Sequence, residues 1–196
     1  MLEKIIKQYS EKDKISLLIR HADRDKIPAG EFGNEVLLNE TGKERASNFG
    51  KSLSNMKINR IFSSPIGRCV QTAEHISKGY DKPIEIIETT ALGAPGLHIT
   101  DEKIAGDFFL AEGFDEMYRR IINDISIPGM PTAEQYNKQM TDFLIKNTQK
   151  KGVTLFITHD FLIVFYHYSI SRKVYDRDNW VKYLGGLTLK NGKYEE

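Results

Sequence analysis

Three short apolar runs in this chain each lead into a basic or imidazole side chain, and that repetition constrains the fold more than any other feature. Residues 15–20 end on Arg20 and continue as His21-Ala22-Asp23-Arg24; residues 60–63 lead through Ser64-Pro65 to Arg68; residues 153–158 lead into His159-Asp160. The third run opens the most apolar window, 152–170, which is nearly long enough to span a membrane. An aspartate near the middle of a span costs roughly 2.5–3.5 kcal/mol on insertion scales, and Asp160 lies mid-window beside His159. A strand over 153–158, buried on both faces, followed by a helix over about 161–168 accounts for the window better.

The rest of the chain alternates in the same way. Thr41 and Glu44 have capping-box spacing before a helix over 41–53, and a helical stretch over 66–78 follows the second run, with Gly79 placed to cap it. A fourth run, 84–88, precedes the loop Leu92-Gly93-Ala94-Pro95-Gly96. Amphipathic stretches fill 103–124, breakers occupy 127–131, and a helix over 133–149 starts from a second capping box, Thr132 with Gln135. Residues 182–194 read as a hairpin turning at Asn191-Gly192. Strands alternating with helices predict a mainly parallel sheet covered on both faces, with ligands beyond the carboxyl ends of the strands.

Composition narrows the functional classes. The 196 residues carry 28 Lys and Arg against 27 Asp and Glu, a net charge of +1. A nucleic-acid groove or a polybasic membrane surface would leave a basic excess. The length suits one domain over 1–196, with no internal repeat. A single cysteine, Cys69, forms no internal disulfide, and the stretch MLEKIIKQYSEKDK is too charged for the apolar core of a signal peptide. A soluble, cytoplasmic protein is expected.

If a parallel sheet carries the three runs, Arg20, His21, Arg68 and His159 meet at one edge. Two guanidinium groups and two imidazoles on one rim suit an anion, and the guanidinium fork matches phosphate oxygens. No Walker loop is present, and His75 stands where a cysteine-nucleophile phosphatase built on Cys69 would need an arginine. Histidine is the best available nucleophile, since its neutral form is well populated near pH 7. An acid is also needed, because an alkoxide leaves poorly. Ser63 and Ser64 lie outside any G-x-S-x-G turn and are expected to shape the strand-to-helix turn. His75 and His167 read as packed or solvent-tipped, and Cys69 as a small hydrophobe.

Ile19-Arg20-His21-Ala22, the stretch FSSPIGRCVQTA from Phe62 to Ala73, and Thr158-His159-Asp160 resemble the three signatures of the histidine phosphatase superfamily, the phosphoglycerate-mutase-like fold. The resemblance covers roughly 15–75 and 132–165 and implies a three-layer α/β/α sandwich. It makes His21 the nucleophile, Arg20 and Arg68 phosphate clamps, and His159 the group that stabilises charge on the phosphoryl oxygens. The phosphatase branch with a His-Asp pair implies Asp160 as general acid and Arg24 as a further clamp; the mutase-like branch would take its acid from Glu88. The implied activity is metal-independent and cofactor-independent phosphomonoester hydrolysis. The substrate expected is a small phosphorylated molecule or a phosphoprotein, and no nucleic acid or membrane is expected as a partner. Alternatives are a mutase, a metal-dependent hydrolase using His21, Asp23, His159 and Asp160, or a phospho-ligand binder without turnover. Ala22 replaces the family's glycine, at a cost of about 1 kcal/mol if its φ is positive. An insertion over about 89–131 is expected as lid and specificity region. There His98, Arg119 and Arg120 are candidate substrate contacts, while Phe108, Phe109, Phe114 and Tyr118 are expected to pack the inserted helices on the sheet.

Overall fold

The computed structural model describes residues 10, 12–28 and 31–195. Most of the stretch read as too charged for a signal peptide, residues 1–9, lies outside them. Among the described residues the sheet comprises β1 (Lys14–Arg20), β2 (Ile58–Ser63), β3 (Glu85–Glu88), β4 (Gly152–Thr158), β5 (Gly186–Lys190) and β6 (Lys193–Glu195). Its order is β3-β2-β4-β1-β5-β6. β3, β2, β4 and β1 run parallel, and β5 and β6 pair antiparallel. Because β4 enters between β1 and β2, the carboxyl ends of those three strands lie side by side.

Strand alternation sorts the side chains into two cores. Leu17, Ile19, Ile61, Leu155 and Ile157 pack beneath α1 (Glu40–Ser52) and α2 (Gly67–Tyr80). Leu18, Phe62, Phe156, Leu187 and Leu189 face α3 (Glu102–Ile122), α4 (Ala133–Asn147) and α5 (Asp160–Ser171). All seven residues of β4 are buried, as its unbroken apolar run requires. The fold is the predicted three-layer α/β/α sandwich, and no helix among the described residues is long and apolar enough to cross a membrane.

The helix ends refine the sequence reading. Thr132 and Gln135 make both bonds of the capping box, at 3.2 and 2.9 Å. The helix α1 starts earlier than the Thr41 and Glu44 spacing suggests, because the Asn39 side chain accepts from the Gly42 N–H at 2.9 Å. The 103–124 stretch is one helix, α3, broken at Gly113, where φ is 78°. Asn191 and Gly192, with φ of 52° and 81°, make the expected turn between β5 and β6.

Gly79 does not cap α2: the helix runs to Tyr80, and Asp81 takes the left-handed cap. A Cβ on Gly79 would strike the Ser47 carbonyl, and one on Gly50 the Ile76 carbonyl, so these glycines let the α1 and α2 backbones touch. Alanine normally favours a helix interior over glycine by about 1 kcal/mol, whereas overpacking costs roughly 1–3 kcal/mol. Gly79→Ala should therefore lower the urea midpoint of unfolding; an unchanged or raised midpoint would refute the close approach.

Candidate active site

The carboxyl ends of β1, β2 and β4 deliver His21, Ser64 and His159 to one rim, and the first turn of α2 adds Arg68. The β1–β4 ladder continues past the strand, since the His21 N–H donates to the Thr158 carbonyl at 2.9 Å. Thr72 ties this loop to α2: its hydroxyl accepts from the Ala22 N–H at 3.0 Å and donates to the Arg68 carbonyl at 2.7 Å. Ala22 is fully buried, and its φ is not positive, so replacing the family's glycine strains nothing here.

The tautomer of His21 follows from its partners. Its Nδ1 lies 2.7 Å from the Ala22 carbonyl, which can only accept, so Nδ1 carries the proton. Nε2 keeps its lone pair, toward which Arg68 Nε–H points at 3.2 Å. Burial, opposed by the Ala22 bond and reinforced by Arg68, Arg20 and Arg24, lowers the His21 pKa to about 3. A neutral imidazole with an unprotonated Nε2 is a nucleophile that needs no base.

Arg68 links both histidines. Its other guanidinium nitrogens donate to the Gly33 carbonyl at 2.6 Å and to His159 Nδ1 at 3.1 Å. It is buried, and no carboxylate among the described residues stands in ion-pair contact with it. His159 lies edge-on to His21, with ring centroids 5.6 Å apart. Burial first, then Arg68, drops the His159 pKa well below its usual range. Ser64 Oγ lies 3.0 Å from His159 Nε2 and also accepts from the Ile66 N–H. It shapes the turn as expected and, beyond that expectation, orients His159. Gly93 allows the following loop to pass against His159, because a Cβ there would meet its ring.

The other expected site residues stand as follows. Arg20 donates to the Val181 carbonyl at 2.8 Å, pairs with Asp160 Oδ2 at 2.7 Å and lies 4.1 Å from the Tyr183 ring centre. It does not line the cavity, and its buried Nε–H has no partner. Asp160 does line it; Oδ2 also accepts from Trp180 Nε1 at 3.2 Å, and Oδ1 from the Phe161 N–H at 2.9 Å. Arg24 lines the cavity and donates to the Asp25 carbonyl. Glu88 is exposed at the end of the edge strand β3, outside the cavity lining. Asp23 pairs with Arg45 at 2.6 Å, away from any metal-like cluster with His21, His159 and Asp160. No three His, Cys, Asp or Glu among the described residues are grouped so as to hold a metal ion. Burial pushes the Cys69 thiol up to about 12, which keeps it protonated beside the clamp.

The cavity holds about 550 Å³. His98 lines it; Arg119 and Arg120 instead pair with Glu116 on α3. Phe109 and Phe114 also face the cavity, contrary to the expectation that they pack only inward, while Phe108 and Tyr118 pack on the core. Trp180, Glu31 and Phe32 escaped the sequence reading, because no motif or strand end marks their segments.

Four histidines stay neutral through burial: His21 and His98 near 3, His167, held between Tyr175 and Tyr194, near 4, and His159 well below the usual range. An unfolded histidine titrates near 6.5. Between these values the unfolded chain binds more protons than the folded one, so stability is complete above the unfolded value and falls as pH drops through it. The urea midpoint should be lower at pH 5 than at pH 7.5, and His167→Gln should lose less between the two; equal midpoints for the unmodified protein would contradict the buried neutral state.

Comparison with known proteins gives the same picture. Residues 16–92 match the model of the histidine phosphatase superfamily (branch 1). A 2,3-bisphosphoglycerate-dependent phosphoglycerate mutase of Thermoplasma acidophilum is 24% identical over 149 residues, covering 74% of this chain and 70% of that protein. The phosphoglycerate mutase of Bacillus anthracis superposes with a TM-score of 0.59 at 16% identity, covering 94% of this chain and 92% of that one. A mycobacterial glucosyl-3-phosphoglycerate phosphatase superposes with a TM-score of 0.60 at 15% identity, covering 91% and 90%. The structural likenesses establish the fold and include both mutases and phosphatases. The matched segment, which holds Arg20, His21 and Arg68, is thus similar to the histidine phosphatase superfamily, on a fold shared with its mutases and phosphatases.

Proposed function

We propose that the protein hydrolyses phosphate monoesters through a phosphohistidine on His21. The observation that carries this reading is the unprotonated Nε2 of His21, which faces a buried guanidinium that has no carboxylate partner among the described residues. An arriving phosphoryl group takes over the Arg68 donors, with Arg24 near enough to both His21 and Arg68 to add its charge. The Nε2 lone pair forms a bond to phosphorus, the ester P–O bond breaks, and the departing oxygen takes a proton. Water then attacks the phosphohistidine, releasing inorganic phosphate and restoring Nε2. The Ser64 hydroxyl can donate to His159 Nε2 as well as accept from it. His159 can therefore turn an Nδ1–H toward the phosphoryl oxygens without losing this bond.

Asp160 is the proposed acid, and afterwards the base for water. It follows His159 directly, lines the cavity and is fixed in place by Arg20 and Trp180. Arg20 acts by holding that carboxyl. Mutase chemistry with Glu88 as acid is less well supported, since Glu88 lies outside the cavity lining. Ala22, free of a positive φ, removes the one motive for a binder without turnover.

His21→Ala should cut turnover of an aryl phosphate by at least about a thousandfold; full retention would overturn the mechanism. Asp160→Asn should slow alkyl phosphates much more than aryl ones, because phenolates leave without full protonation. Equal slowing would instead mark Asp160 as the residue that positions Arg20.

A further inference from the structure

The cavity is far larger than a phosphoryl group, and its two ends differ in chemistry. His21, Arg68 and His159 form one end, with Arg24 close enough to push on both His21 and Arg68. Aromatic and aliphatic side chains dominate the rest: Phe32, Phe109, Phe114, Met117, Phe161 and Trp180. They come from separate parts of the chain and brace one another. Phe32 stacks on Phe109 with centroids 5.0 Å apart, and Phe114 meets Phe161 and Trp180 edge-on, each at 5.4 Å.

The spacing on α3 shows why this wall is continuous. Glu102, Ala105, Gly106 and Phe109 recur on one helical face, and after the Gly113 break Phe114 and Met117 resume it. The insertion thus directs an apolar stripe over the strand ends.

Charge on the wall is equally informative. The lining cations are Arg24 and Arg68, both committed to the phosphoryl end, whereas the remaining charged lining residues are Glu31, Glu102 and Asp160. A substrate with a carboxylate or second phosphate would bring that group against carboxylates with no guanidinium or ammonium to meet it. His98 also lines the cavity, buried between the edges of Tyr136 and Phe161, with its Nδ1 turned to Gly96 and without a hydrogen-bond partner among the described residues. Burial keeps that ring neutral, which suits an uncharged hydroxyl or carbonyl rather than an anion.

We propose that the substrates are phosphate monoesters of uncharged, largely apolar alcohols carrying at least one ring-sized group, which the insertion binds between Phe109, Phe114 and Trp180 beside His98. This rests on the phosphoryl-transfer reading above and specifies its substrate class.

The test compares primary alkyl phosphates of similar leaving-group basicity, so that differences report on the body of the ester rather than on chemistry. Enclosing a ring in an apolar wall should raise kcat/KM for 2-(2-naphthyl)ethyl phosphate about ten- to hundredfold over ethyl phosphate. 3-Phosphoglycerate should fall below the naphthyl ester, and Phe114→Ala should reduce the naphthyl-to-ethyl ratio roughly tenfold. Equal kcat/KM for the naphthyl and ethyl esters, or a preference for 3-phosphoglycerate, would overturn the substrate class while leaving the phosphohistidine chemistry standing. If none of the esters turns over, the chemistry has failed, and the substrate class is then judged by binding alone. In that case 2-(2-naphthyl)ethylphosphonate should bind at least about tenfold more tightly than methylphosphonate and shift the His98 ring resonances; equal affinity would refute the proposal.

Discussion

A buried guanidinium without a carboxylate partner among the described residues is the constraint around which this structure is arranged. Arg68 donates to one backbone carbonyl and to two imidazoles, both of which burial and its own charge hold neutral. A buried cation satisfied only by neutral acceptors is costly unless an anion completes it. The same field that disfavours a proton on His21 leaves Nε2 unprotonated. In the proposed reaction, anion affinity and nucleophilicity are therefore two consequences of one placement.

The sheet makes that placement possible. Inserting β4 between β1 and β2 sets His21, Ser64 and His159 on adjacent strand ends, and the Gly50 and Gly79 contacts seat α2 so that Arg68 reaches both rings. Around this centre lies a shell of fixed geometry. Thr72 joins the His21–Ala22 loop to α2, Ser64 orients His159, and Arg20 with Trp180 holds Asp160. The histidines and Arg68 thus gather at strand ends and the first turn of α2, while much of the remaining cavity wall comes from α3 and loops.

The parts legible in the sequence are those where one residue type does one physical job. The buried β4 run, the Thr132 and Gln135 capping box, the Asn191-Gly192 turn and the meeting of His21, Arg68 and His159 all follow from local periodicity plus parallel-sheet topology. Arg20 illustrates the limit. Its position at a strand end was readable, but its turn toward Asp160 depends on Val181, Tyr183 and Trp180, which lie in a segment without periodicity. Gly79 shows a second kind of limit, since a glycine near a helix end serves equally as cap or as close-packing site, and only the neighbouring helix decides. Phe109 and Phe114 show a third: an amphipathic pattern states that a face is apolar, without stating whether protein or substrate covers it.

The central claim is that His21 carries the phosphoryl group between ester and water. The most direct measurement mixes the protein with an aryl phosphate labelled at phosphorus, quenches within the first turnover in alkali, and locates the label by peptide mapping. Acid-labile, base-stable label on His21, absent from His21→Ala, is the predicted result. Turnover with no label on His21, or label on another residue, would contradict the account.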